Sequence, residues 1–246
     1  MNLQRIMALV KMELKKLIRE PAYLFLMLLF PAVLTLAFGI AFGDPALGMD
    51  FSVMTPGLIS YACIFIIMTV AMSFTELREQ GLLKRINVTP MTSGEFMGSH
   101  MISNMFIAIL QVVIVLVLAF FFGFRPLSDV VGFILAFLII ALFSLCSVGL
   151  GLITATIAKS AGAATGISFI FILPQMFFGT FIPITDTTRI IAMFLPSYYV
   201  VNALASIFGG APLTSENLLI DFAVISIVSV AIIIIGIQLF KKYGNK

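Results

Sequence analysis

The sequence predicts an all-α polytopic membrane protein with six transmembrane helices. The first observation is composition, since 61% of the 246 residues are hydrophobic and only 10% are charged, with a mean hydropathy of +1.19. Soluble domains are about one quarter charged. The second observation is a set of long uncharged runs, and the third is the placement of the basic residues between them. Together they predict one transmembrane domain over 1–246.

Six uncharged apolar runs reach the length of about 20 residues that a helix needs to cross a bilayer. They are 22–43, 51–75, 101–124, 130–158, 160–185 and 222–240. A seventh uncharged stretch, 190–215, is interrupted by Pro196, Asn202, Gly209, Gly210 and Pro212. Such breaks free backbone groups that lipid cannot satisfy. We therefore expect the segment 186–216 to be re-entrant on the outer side of the membrane.

The basic residues orient these spans. If the N-terminus is cytoplasmic, six spans leave only Arg125 and Arg189, of the 14 lysine and arginine residues, on the outer side. Cytoplasmic loops carry such an excess of basic residues. A seventh span would place Lys241, Lys242 and Lys246 outside. We expect a multi-pass protein of the cell (inner or plasma) membrane with both termini cytoplasmic.

The first 21 residues are predicted to form an amphipathic interface helix. Apolar residues recur at helical spacing, and basic residues occupy the other face, as in helices that lie in the headgroup region. The apolar set is Leu3, Ile6, Met7, Val10, Leu14, Leu17 and Ile18. A cleaved signal peptide is disfavoured, because the apolar run 22–43 is longer than the 7–15 residues usual for a signal sequence.

Several classes of function lack the residues they need. The sequence has no GxxxxGK[ST] loop to bind nucleotide phosphates. The single histidine and the apolar surroundings of Cys63 and Cys146 disfavour a metal site or disulfide framework. Lys159 and Ser160 are adjacent, so they face different sides of a helix and disfavour a Ser–Lys enzyme. We expect no catalytic, cofactor-binding or metal-binding residues, and hence a protein that is not an enzyme.

The same argument bears on how transport would be powered. None of the six runs contains an ionisable residue of the kind that ion-coupled carriers keep within their spans. An externally powered permease is favoured over an ion-coupled or passive transporter. A non-catalytic assembly subunit of a membrane complex also remains an alternative.

The longest polar segment, 76–100, reads ELREQGLLKRINVTPMTSGEFMGSH and separates the second and third runs. Apolar and charged residues alternate in its first part, which predicts a short amphipathic element. On the residues alone, two interpretations stay open. The segment is either a cytoplasmic coupling loop or a solvated tether that only sets topology.

Four segments resemble the membrane subunits of type-2 ATP-binding-cassette (ABC) exporters, the class that includes bacterial drug-resistance permeases. They are LIREPAYLFLMLLFPAVLTLAFG, ELREQGLLKRINVTPMTSGEF, FFGTFIPI and FLPSYYVVNAL, in this order along nearly the whole chain. The resemblance implies the permease of an exporter for hydrophobic or amphiphilic small molecules. It also implies a second permease copy and a separate ABC ATPase that binds ATP and Mg. The substrate, and the choice between homodimer and heterodimer, are not specified by the sequence.

The resemblance places the coupling helix at about 76–90, where Glu79 and Gly81 match a Glu-x-Gly pattern. The residues expected to contact the ATPase are Glu79, Gly81, Leu82, Lys84, Arg85 and Ile86. An outer gate or substrate path is expected at Phe177, Phe178, Phe181, Gln111 and Gln175, although ordinary lipid or core contact is an alternative for the aromatic residues. Two GxxxG pairs, Gly39 with Gly43 and Gly162 with Gly166, predict close helix contacts within one chain or between two.

Overall fold

The computed structural model describes residues 3–19, 21–43, 51–81, 93–181 and 185–243, and within these ranges all regular structure is helical. The helices are α1 (Leu3–Arg19), α2 (Pro21–Phe42), α3 (Phe51–Ile64), α4 (Ile66–Glu79), α5 (Ser93–Phe121), α6 (Val130–Ile157), α7 (Ala161–Met176), α8 (Asp186–Ala192), α9 (Pro196–Phe208) and α10 (Glu216–Tyr243). A short π-helix, Phe177–Phe181, continues α7.

Five of the described helices are long and apolar enough to cross a membrane. They are Phe51–Glu79, Glu95–Phe121, Val130–Ile157, Ala161–Gly179 and Glu216–Lys242. The first of these consists of α3 and α4, which continue one another across Phe65. Helix α2 has 22 residues, a length of about 33 Å at 1.5 Å per residue, which is close to the thickness of a bilayer core. Each predicted span coincides with one of these six helices. The prediction of an all-α polytopic membrane protein is confirmed.

Three of these spans extend several residues beyond the uncharged runs that predicted them. Helix α4 includes Glu76, Arg78 and Glu79, and α5 includes Glu95 and His100. Asp221, expected at the edge of the final span, lies more than a turn inside α10 and is buried. Uncharged runs report only the part of a helix that lies in hydrocarbon, whereas the helix continues wherever its backbone bonds are made. The ionisable residues are therefore part of the packed bundle near its ends.

The stretch predicted to be interrupted forms two helices with a sharp bend. α8 and α9 meet at an angle of 111°. Thr185 caps α8, and its hydroxyl accepts a hydrogen bond from the Thr188 backbone N–H. Pro196 opens α9, where its missing N–H costs nothing. These local signals explain why the stretch is not one straight helix.

Helix α6 lies at the centre of the bundle and packs against α3, α4, α5, α7, α9 and α10. Its most extensive contact is with α10, followed by α4. Glycines allow both approaches. A Cβ atom added to Gly149 would lie 2.9 Å from the carbonyl oxygen of Ile232 in α10, and one on Gly151 would lie 2.8 Å from that of Ile67 in α4. These distances are too short for any side chain, so the backbones touch directly.

The N-terminal helix α1 is amphipathic, as predicted, but its apolar face is divided. Ile6 and Val10 are buried, while Met7 and Ile18, predicted on the same face, are mostly exposed. Helix α1 packs chiefly on α5. It therefore both contacts the bundle and presents apolar side chains outward, as suits a helix beside lipid.

Candidate functional site

The bundle has two ends that differ in their polar contacts. The Arg78 end comprises the C-terminal ends of α4, α6 and α10 together with the N-terminal ends of α5 and α7. The Arg125 end comprises the N-terminal ends of α3 and α6, the C-terminal ends of α5 and α9, and the turn around Arg125. The segment 82–92, which holds most of the predicted coupling residues, joins α4 to α5 at the Arg78 end.

Arg78 connects two helices at its end of the bundle. Its guanidinium donates a hydrogen bond of 3.0 Å from Nη1 to the carbonyl oxygen of Ala155 and a second from Nη2 to that of Ala158. Ala155 lies in the last turn of α6, and Ala158 is the residue at which that helix stops. Carbonyls in a final turn lack partners within their own helix and carry partial negative charge. Arg78 satisfies two of them.

The residues after Arg78 end α4 abruptly. The Gly81 N–H donates to the Arg78 carbonyl oxygen at 2.9 Å, and the φ of Gly81 is +67°. A left-handed glycine at this place is a common way to end a helix. Glu79 and Gly81, two of the predicted coupling residues, are therefore the last residue of α4 and its terminating glycine. The predicted amphipathic element cannot include residues 77–79, which belong to the long helix.

The other predicted coupling residues, Leu82, Lys84, Arg85 and Ile86, lie outside the described residues. Their coupling role stays a prediction.

An aromatic cluster closes the Arg78 end. Phe74 packs edge-on against Phe96 and Phe240, and the His100 ring lies 4.8 Å from the Phe74 ring and 4.6 Å from that of Phe96. The cluster joins α4, α5 and α10. Phe74 is 1% exposed, so it couples the end of α4 to two other helices through close packing.

His100 also connects the bundle to α1. Its Nε2 lies 3.3 Å from Oε1 of Glu13, and both side chains are largely buried. The sequence offered no signal for this pair, because Glu13 lies within the predicted interface helix and His100 at the edge of a span. Glu13, Arg78 and His100 are polar residues of this end that the sequence interpretation did not select.

At the far end of α7 the π-helix holds part of the predicted outer gate. The Phe177 N–H donates to both Leu173 and Pro174 carbonyl oxygens, where the regular pattern shifts. Phe177 is exposed and Phe178 is half-buried, while only the backbone of Phe181 is described. Single π-turns of this kind are frequent at functional sites.

The two predicted glutamines are both buried but are not brought together. Gln175 lies in α7, where its Nε2 donates to the Phe171 carbonyl oxygen at 3.3 Å. The backbone carbonyl oxygen of Gln175 accepts from the Ser197 hydroxyl at 3.1 Å. Gln111 lies in α5, a helix that makes no extensive contact with α7 in the described chain. A shared path would require a rearrangement or a second chain.

A cavity of about 380 Å³ opens at the Arg125 end. Its lining is mainly apolar, and Arg125 is its charged member; the residues are Ser52, Val53, Pro56, Phe124, Arg125, Leu127, Ala205, Phe208 and Gly209. Arg125 donates hydrogen bonds to the carbonyl oxygen of Phe120, in the last turn of α5, and to that of Phe124, in the turn after it. Across the described ranges no three His, Cys, Asp or Glu side chains are grouped so as to hold a metal ion.

Comparison with known proteins places this architecture in a family. A family model described as ABC-2 type transporter matches residues 4–208, from α1 to the end of α9. A search of curated proteins found no match. The match covers the long helices α2 to α7, including Arg78 and its two acceptors, and the bent pair α8–α9, whereas α10 lies beyond it. This chain therefore belongs to the ABC-2 type transporter family, as the permease component of an ABC transporter in a multi-pass membrane fold.

Proposed function

We propose that this permease exports hydrophobic or amphiphilic small molecules, driven by ATP that a separate ABC ATPase hydrolyses at the Arg78 end. The observation that carries the proposal is the path of α4, which runs to Glu79 and enters the predicted coupling segment directly. A force on that segment would reach α6, α7 and α10 through contacts already made at the Arg78 end. ATP and Mg would be bound by the partner.

The charge distribution supports a cytoplasmic Arg78 end. Lys159, Lys241 and Lys242 lie at that end and are exposed, whereas Arg125 lies at the other. Basic residues are retained on the cytoplasmic side of membrane proteins. Both termini would then be cytoplasmic, and the bent pair α8–α9 would be re-entrant from outside.

An open face of α7 supports a second permease copy. A Cβ atom added to Gly162 or Gly166 would meet nothing within 4 Å, although such glycine pairs normally serve close helix contact. The space at the Cβ position of Gly39, by contrast, is occupied by the Phe122 ring of the same chain. Gly162 and Gly166 thus have no neighbour from the described part of this chain, and a partner helix would use the space.

The apolar character of the bundle supports an apolar substrate. Buried polar residues in the middle of the helices are mild, such as Gln111 and Ser147. The buried Glu95, His100 and Asp221 lie near the helix ends. A substrate with a fixed charge would meet no opposite charge in the described centre. Phe177, Phe178 and Phe181 remain the proposed gate.

The experiment is to co-express the chain with candidate ABC ATPase subunits from the same organism, purify the complex that forms and reconstitute it in liposomes. We expect ATP hydrolysis by the complex and ATP-dependent movement of a fluorescent phospholipid analogue or lipophilic dye. Leu82→Asp should weaken recovery of the complex by about tenfold or more, because burial of a leucine contributes about 1.5–3 kcal/mol. Arg85→Glu should have a smaller effect, as expected of a charge at the rim of an interface.

Leu127→Asp is the matched control. Leu127 is 76% exposed at the Arg125 end, so the same change there should leave the complex with the ATPase intact. Normal complex recovery and normal ATP hydrolysis with Leu82→Asp would contradict the coupling assignment. Dye movement by the chain alone, without any ATPase, would favour the passive or ion-coupled alternative.

A further inference from the structure

We propose that Arg78 is the positioning residue that makes the end of α4, which leads into the predicted coupling segment, and the α6–α7 corner move as one body. The inference rests on the proposed function and names the contact by which it operates. The corner comprises residues 155–164, from the last turn of α6 to the first turn of α7. It includes the exposed Lys159 and is a second cytoplasmic segment in the proposed orientation.

The contact joins distant parts of the chain. Arg78 is separated from Ala155 and Ala158 by 77 and 80 residues, yet its side chain bonds both. The two carbonyls lie one turn apart, so the guanidinium bridges the end of α6 rather than touching it at one atom. The planar fork of arginine suits two acceptors, whereas a lysine ammonium would act as a point charge.

The corner is held from a second side. A small buried cluster joins the corner to α4. It consists of Ala71 of α4, Ala158 at the end of α6 and Ala164 of α7, with Ile167 packed against them. The Ser160 hydroxyl accepts from the Ala163 N–H at 3.2 Å and caps α7. The corner is thus packed against α4 at Ala71 and hydrogen-bonded to α4 at Arg78. Little freedom remains for α4 to move without it.

The position of Arg78 in α4 completes the argument. It lies three residues before Gly81, which terminates the helix with a positive φ and has nothing within 4 Å of its Cβ position. Movement of the coupling segment reaches the bundle through this helix end. Arg78 is the last residue of α4 from which a described side chain bonds another helix, so it passes that movement to α6 and α7 together.

The test uses the reconstituted complex and a thiol at the corner. Lys159→Cys provides the thiol, and the two native cysteines are fully buried. Maleimide labelling of this chain is measured without nucleotide and with ATP plus vanadate. We expect the labelling rate to differ between the two states. Arg78→Gln should reduce that difference by about 2- to 30-fold, the range found for residues that carry coupling between sites, with the complex still assembled.

Two variants separate positioning from a merely structural role. Arg78→Lys keeps the charge but replaces the planar fork by a single donor nitrogen, and should restore part of the nucleotide-dependent difference. Arg125→Gln removes an arginine whose two hydrogen bonds go to carbonyl oxygens within five residues of it, and should leave the difference unchanged. Should Arg78→Gln fail to assemble, Arg78→Lys takes its place in the test. A labelling difference smaller than that of the parent complex then supports the inference, and an unchanged difference contradicts it.

The outcomes distinguish this inference from the proposed function. Failure of the parent complex to form or to hydrolyse ATP rejects the proposed function. An active parent complex with no labelling difference at Lys159→Cys, or with a full difference retained by Arg78→Gln, overturns the inference alone. A full difference retained by Arg78→Lys together with a complete loss in Arg78→Gln would show that charge, rather than the two-acceptor fork, carries the link.

Discussion

The two ends of the bundle use the same chemistry for different purposes. At each end an arginine donates two hydrogen bonds to backbone carbonyl oxygens. Arg125 bonds Phe120 and Phe124, which closely precede it in the chain, so it stabilises only its own turn. Arg78 bonds Ala155 and Ala158 at the end of another helix. Tertiary contacts occur at both ends, such as that of Phe124 with Phe208, but only the arginine of the Arg78 end joins two helices and can transmit displacement between them.

The largest effect is expected where α4 and α6 touch through their backbones. Gly151→Leu would place a side chain where even a Cβ atom lies 2.8 Å from the Ile67 carbonyl oxygen. Overpacking typically costs about 1–3 kcal/mol and more where backbone cannot move aside, so we expect little folded protein. The measurement is thermal unfolding in detergent, followed by size-exclusion chromatography.

Gly162→Leu is the matched change in open space. Because nothing lies within 4 Å of that position, the melting temperature of the single chain should stay near that of the parent, while self-association should fall. Equal losses of stability for the two glycine variants would mean that the contrast between the filled and open faces is wrong.

An intermediate effect is expected for the link between α1 and the Arg78 end. Glu13→Ala removes the carboxylate that lies 3.3 Å from Nε2 of the buried His100, and burying a polar group without such a contact costs about 1–3 kcal/mol. We expect α1 to detach from α5 before the bundle unfolds. Hydrogen exchange of residues 3–19, compared with that of α6, would detect this detachment. Equal protection of the two regions in the variant would contradict a separate role for the Glu13–His100 pair.

The smallest effects should be equal at the two ends. Asp129 accepts from the Gly132 N–H at 2.8 Å to cap α6, and Ser160 caps α7. Replacing either by alanine should cost about 1 kcal/mol of stability. Thermal unfolding of both variants measures this. If the Ser160 variant also reduced ATP-dependent labelling at Lys159→Cys while the Asp129 variant did not, the contrast between the ends would be sharpened.

The spans, the interrupted stretch and the amphipathic N-terminus could be predicted because each depends on residues close in sequence. Run length, prolines such as Pro196 and the period of α1 are local signals. The Arg78 contact could not be predicted in this way, because its acceptors are backbone carbonyls 77 and 80 residues away and every residue type has such a carbonyl. The Glu13–His100 pair is similar. A basic residue three positions before a terminating glycine was the available hint.

The close approach of α6 and α10 has a consequence for how the protein is made. Gly149 meets the backbone of Ile232, and Gly236 faces the Gly149 carbonyl oxygen at 2.6 Å from its Cβ position. Because α6 precedes α10 in the chain, α6 is synthesised first. Its surface at Gly149, here called the glycine notch, is not covered until α10 has been made. A nascent chain stalled before residue 216 would expose the notch to lipid and to membrane proteases. Packing of α10, rather than insertion of the earlier spans, is then the step that fills this notch.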